Sequence, residues 1–103
     1  MWAQMVTVRV KPGKEELLSR LVGQLQAAEQ PGSVLIRATA MYDQNDPSRL
    51  HMLVVMESEA QAREREKDPR RGEGLQGARA TMAEMFDGAP EFTDLTVAAD
   101  WTP

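Results

Sequence analysis

Apolar and polar residues alternate from Trp2 to Val10, with Gln4, Val6, Val8 and Val10 on one side and Ala3, Met5, Thr7 and Arg9 on the other, the period of a β-strand. Lys11-Pro12-Gly13 ends it, because proline cannot donate to a ladder and glycine accepts the turn conformation. From Lys14 the period becomes 3.6: Leu18, Leu21, Val22, Leu25 and Ala28 form one stripe, predicting a helix that Pro31-Gly32 stops. Ser33 to Asp43 alternates again, and the turn cluster Asp43-Gln44-Asn45-Asp46-Pro47 joins it to the next apolar run as an antiparallel hairpin. That run, Leu50 and Met52 to Met56, is nearly continuous and suits a central strand covered on both faces.

Ser58 and Gln61 have the spacing of a capping box, so a helix is predicted from Ser58 to about Lys67, polar enough to lie in water. Asp68-Pro69 suits an N-cap and first-turn proline for another helix, whose start Gly72, Gly74 and Gly77 weaken. Leu75, Ala78, Met82, Met85 and Phe86 form its stripe, which Gly88 and Pro90 close, and Phe92 to Trp101 reads as the last strand. The order is the split βαβ, βαββαβ, of ferredoxin-like folds: a four-stranded antiparallel sheet with helices on one face, an α+β architecture.

The faces of that sheet carry the next expectation. Val6 and Val8, Ile36 and Ala38, Met52 and Val54, and Leu95 and Val97 are expected to point at the helices, leaving Met5, Leu35, Met41, Leu53 and Val55 uncovered. Contiguous apolar patches above a few hundred Å² mark interfaces, so two sheets are expected to pack face to face in a homodimer.

At 103 residues the chain fits one domain, residues 1–103. The absence of cysteine excludes disulfides, thiolate metal sites and a cysteine nucleophile, and suits a reducing, cytoplasmic setting. No leader pattern opens the sequence and no apolar run nears the roughly 20 residues that span a bilayer, so no membrane association is expected. A net charge of −4 argues against a phosphate-tracking nucleic-acid surface.

Val6-Thr7-Val8-Arg9-Val10-Lys11-Pro12-Gly13-Lys14-Glu15-Glu16, then Pro31-Gly32, Asp46-Pro47, Val55-Met56-Glu57-Ser58-Glu59-Ala60 and Asp68-Pro69, taken in this order and spacing, resemble the antibiotic biosynthesis monooxygenase domain of the dimeric α/β barrel superfamily. The resemblance implies a homodimer whose two sheets form a barrel, with a pocket per subunit between sheet and helices. It implies either a cofactor-independent monooxygenase of an aromatic quinol, anthrone or polyketide-like substrate, or a non-catalytic dimeric ligand-binding or interaction protein of the same fold. In such oxygenases the substrate supplies the electrons and the protein positions it and excludes water, so neither metal nor other cofactor is expected. Members of the oxygenase group tend to carry an aromatic residue at the end of the third strand and Asn or Trp on the following helix, where this chain has Met56, then Gln61, Arg63 and Arg65. Haem-degrading members combine an Asn on the first strand, a Trp on that helix and a His on the next. Here stand Val6, Arg65 and a histidine-free helix from Gly74 to Phe86, which argues against haem degradation.

His51, the only histidine, is the candidate general base, although alternation sets it beside Leu53 and Val55, where a hydrogen-bonded place in the dimer interface is the plainer reading. One histidine and no cysteine leave no metal site. Arg9 and Arg37 share that face, with Thr7, Thr39, Asp94 and Glu57 as expected partners, pairing charge inside the barrel or binding an anion. Met52, Met56, Met82, Met85 and Phe86 are expected to converge between sheet and helices, as core or as a pliable lining for a small aromatic molecule. Arg65 joins them as a substrate-binding candidate where the resemblance implies a pocket mouth, with Arg70 and Arg71 beside it, although such residues are usually a solvated surface.

Overall fold

The computed structural model describes residues 1–103. Its elements are β1 (Trp2–Val10), α1 (Leu18–Ala28, entered through a 3₁₀ turn at Glu15–Leu17), β2 (Leu35–Tyr42), β3 (Arg49–Met56), α2 (Glu59–Glu66), α3 (Pro69–Gly74), α4 (Gln76–Met85) and β4 (Phe86–Thr96). The strands form one antiparallel sheet in the order β2-β3-β1-β4, which is the ferredoxin-like arrangement. No helix is long and apolar enough to cross a membrane.

Two clusters fix the helices on a single face. Val8, Val10 and Leu50 from the sheet pack with Leu17, Leu21, Ala28, Leu75, Ala78 and Met85 from the helical layer. A smaller cluster of Trp2, Met56 and Ala62 holds α2 at the other end, with Val34, Leu35 and Val54 against it. Cross-strand partners share a face, so the pairs Val6↔Met52 and Gln4↔Val54 also look toward the helices, while Met5↔Leu53 and Ala3↔Val55 look away. Met41 lies on that outer face with its partner His51, as expected.

The starts of α2 and α3 carry the expected N-caps, but the reciprocal half of the capping box at Ser58 does not form. The Ser58 hydroxyl accepts from the Gln61 N–H at 3.1 Å and donates to the Gln61 side-chain oxygen at 2.9 Å, so the glutamine answers the cap through its carbonyl and not by reaching back to the backbone. Asp68 caps α3 by accepting from the Arg70 N–H at 2.9 Å, with Pro69 in the first turn.

Two expectations about faces are overturned by irregularities in the edge strands. The last strand begins at Phe86, directly after Met85, and ends at Thr96, so Trp101 lies outside it and is 80% exposed. Gly88 (φ +82°) and Pro90 do not close α4: they sit where the β1–β4 register shifts between Thr7↔Glu91 and Arg9↔Asp87. A bulge tolerates both residues, since it needs no donor from proline and exploits glycine at positive φ. The resulting register pairs Leu95 with Ala3 on the outer face and turns Phe92 and Asp94 toward the helix side, opposite to the simple alternation. On β2 a second shift between Leu35 and Arg37 leaves Ile36 half exposed and packs Leu35 against the Trp2 cluster, so Leu35 is not on the uncovered face.

Candidate functional site

The site-bearing side chains fall into three groups, and the sheet separates the first from the second. On the outer face the His51 Nδ1 lies 3.0 Å from the Thr7 hydroxyl, and its Nε2 lies 3.6 Å from Asp43 Oδ2. Asp43 is held below the ordinary carboxylate range by hydrogen bonds from the Asn45 and Asp46 N–H groups, with His51 adding a smaller pull. The hairpin turn thus orients a carboxylate toward the imidazole, and the chain carboxylate, imidazole, hydroxyl lies across β3 and β1. Arg9 on this face binds Ser48 and, at 3.5 Å, Asp46, rather than the expected Asp94, Thr39 or Glu57.

β3 alternates, so Met52 stands on the opposite side from His51. The structure therefore does not bring His51 together with the methionines. Met52, Met82 and Phe86 are partly buried against the main core, and Met85 is fully closed within it. Met56 belongs to the other cluster, with Trp2 and Ala62. Arg65 is apart again, binding both carboxylate oxygens of Glu29 at the end of α1 through its Nε and Nη2 atoms.

A fourth arrangement emerges only from the register. On the helix-facing side of β1 and β4, Val6 pairs with Phe92 and Gln4 pairs with Asp94. Phe92 is 62% exposed there, in a row with the exposed Asp94 and Thr96 on the same face of the edge strand. Asp94 accepts from Gln4 Nε2 at 3.0 Å through Oδ1 and from Arg63 Nη2 at 3.0 Å through Oδ2. Arg63 is itself placed by α2, with Glu59 at 3.4 Å, Glu66 at 3.2 Å and its guanidinium 5.1 Å from the centre of the Trp2 ring. Together they make an open ledge: an apolar ring and, two residues further along the same strand face, a carboxylate, beside Val6, which with Met52, Met82 and Phe86 packs against the main core. Strand alternation alone predicts Asp94 on the opposite face, and only the bulge at Gly88–Pro90 reveals this group.

No group of His, Cys, Asp and Glu in the molecule is arranged to hold a metal ion.

The architecture has close counterparts among solved structures. A candidate antibiotic biosynthesis monooxygenase from Nitrosomonas europaea superposes with a TM-score of 0.72 at 17% identity, over 96% of this chain and 100% of that one. One from Bordetella bronchiseptica gives 0.75 at 17% identity, covering 95% and 97%. The chain has the fold of these two proteins. A protein of unknown function from Nitrosomonas europaea shares it equally well, at a TM-score of 0.71 and 20% identity over 99% of this chain and 93% of that one. No protein-family model and no curated protein sequence matches the chain. The fold likeness spans nearly all 103 residues.

Proposed function

We propose that this chain is a cofactor-independent monooxygenase of a flat aromatic substrate, a quinol, anthrone or polyketide-like molecule, bound on the Phe92 ledge. The observation that carries the proposal is the exposed Phe92 ring on the helix side of the sheet, with the Asp94 carboxylate on the same strand face two residues away. Phe92, Val6 and Met82 stack against the ligand ring and Met52 and Phe86 form the floor, while Met85 is closed within the main core and Met56 belongs to the Trp2 cluster. Asp94, oriented by Gln4 and Arg63, takes a proton from the substrate. The resulting carbanion or phenolate gives its electrons to O₂, so that a ring CH₂ becomes C=O, one oxygen atom stays in the product and the other leaves as water. Candidate monooxygenases of the same fold are consistent with this chemistry.

The same proposal includes a homodimer. Ala3, Met5, Met41, Leu53, Val55 and Leu95 form an apolar patch on the outer face, and a second copy covering it completes a dimeric α/β barrel. His51, with Thr7 and Asp43, then lies in the barrel interior, where it serves as the proton acceptor only for a ligand held between the two sheets. A cysteine-free chain of this kind belongs in the reducing cytoplasm.

A second reading, a non-catalytic ligand-binding or interaction protein, is favoured by a specific observation: both oxygens of Asp94 are already engaged, one by Gln4 and one by Arg63. Oxygen uptake by the metal-free protein with anthrones and hydroquinones, beside binding titrations with the same compounds, separates the two. Chelator-resistant uptake supports the oxygenase, and binding without uptake supports the carrier.

A further inference from the structure

A polar cleft of about 240 Å³ lies between the end of α1 and the α2–α3 turn, on the far side of α2 from Asp94's partner Arg63. Val34 is the single hydrophobic side chain in a wall of 12 residues, so the cleft is suited to a polar ligand and not to the aromatic ring of the ledge. Six of those residues are charged, and five have partners. Glu29 binds Arg65, Asp68 binds Arg70 at 2.8 Å, and Glu64 is 3.6 Å from Lys67. The sixth is Arg71, which forms no ion pair.

Arg71 is half-buried, and its Nε atom is shut off from solvent without a hydrogen-bond partner. A buried donor left unmade costs about 1–3 kcal/mol, more on a charged group. Burial, with the like charge of Arg65 beside it, lowers the Arg71 pKa. The acids near it are committed elsewhere: Glu29 to Arg65 and Ser33, and Glu66 to Arg63. The placement is built in, because α3 approaches α1 so closely that a Cβ on Gly74 would stand 3.1 Å from the Ala28 Cα. One turn earlier on the same helix, this contact holds Arg71 at the cleft. The rest of the Arg71 side chain lines the cleft without an ion pair, and a planar guanidinium can offer its two Nη groups to an oxyanion that accepts two parallel hydrogen bonds.

We propose that the cleft is a binding site for a small polar oxyanion, a phosphate or carboxylate group of a hydrophilic molecule, recognised by Arg71. Its volume, under the roughly 300 Å³ at which pockets for drug-sized ligands begin, sets the size of that molecule. The site is separate from the ledge and does not depend on the oxygenase reading.

The test uses the full chain at constant ionic strength, titrated to 50 mM (about the upper limit for a weak specific anion site) with inorganic phosphate, with acetate and with chloride. NMR follows the arginine Nε–Hε signals and the backbone amides of Gly32 and Ser33. Saturable shifts with phosphate or with acetate but not chloride are expected, and whichever anion saturates first identifies the class. Arg71→Gln abolishes the shifts, Arg71→Lys weakens binding at least about tenfold because the fork geometry is lost, and Arg20→Gln, an equal loss of charge on an exposed face of α1, leaves them in place. The absence of any saturable shift in the parent protein overturns the proposal, and so does undiminished binding in Arg71→Gln. If Arg71→Gln does not fold, the Nε–Hε signal of the parent protein decides alone.

Discussion

Gly74 on α3 touches Ala28 on α1 so closely that a Cβ at position 74 would meet the Ala28 Cα at 3.1 Å and its Cβ at 3.2 Å. Two turns of weak helix-forming sequence are thereby used for packing: without a side chain at this point α3 lies flat on the end of α1. Gly72, in the same helix, has nothing within 4 Å of such a Cβ.

The two glycines therefore respond oppositely to alanine. Gly72→Ala gains helix propensity with no clash and stabilises by about 0.5–1 kcal/mol. Gly74→Ala gains the same propensity but must displace backbone, which costs about 1–3 kcal/mol, so it is destabilising overall. Urea unfolding of the three proteins checks this, with the midpoint rising for one variant and falling for the other.

The Arg65–Glu29 pair ties α2 to the end of α1 and links stability to pH. Burial pushes the Glu29 carboxyl up, but hydrogen bonds from Arg65 and Ser33 outweigh it, and its pKa is lowered overall. A carboxylate whose folded pKa lies below its unfolded value contributes stability that is fully present above the unfolded pKa and is lost as pH falls through the folded one. Glu29→Gln is thus expected to cost about 1–3 kcal/mol at pH 7, and the difference from the parent protein shrinks below about pH 4. Thermal unfolding at pH 7 and pH 3 measures it, and a pH-independent difference would contradict the linkage.

The outer sheet face offers a direct check on the dimer. Met5 and Leu53 are cross-strand partners at its middle, and a charge there meets its own symmetry mate or an apolar neighbour. Sedimentation equilibrium is expected to give twice the 11.5 kDa chain mass for the parent protein and the monomer mass for Leu53→Glu. A monomeric parent protein sinks the barrel proposal.

Most of the fold is legible in the sequence because its dominant signals are local. The period-2 run of β1, the period-3.6 stripe of α1, the turn cluster at Asp43–Pro47 and the caps at Ser58 and Asp68 each depend on neighbours a few residues apart. The faces of β2 and β4 are less legible, because a one-residue slip reverses every side chain and bulges in both edge strands reset the count. Gly88 and Pro90 have the composition of a helix stop and serve instead as the irregular start of a strand. The ledge suffers most from this. Gln4, Arg63 and Asp94 are far apart in the sequence, and their meeting depends on a register that no local pattern carries. The separation of His51 from Met52 was available from alternation alone.

The measurement that bears most directly on the proposed function is oxygen uptake by the chelator-treated protein with a panel of anthrones and hydroquinones, comparing the parent chain with Asp94→Asn and Phe92→Ala. The account predicts uptake above the uncatalysed rate in the parent protein, at least about a hundredfold lower in Asp94→Asn because the proton acceptor is lost, and a raised KM in Phe92→Ala. Uptake at the uncatalysed rate by the parent protein, with the same compounds binding normally, would contradict the oxygenase and leave a carrier of aromatic ligands.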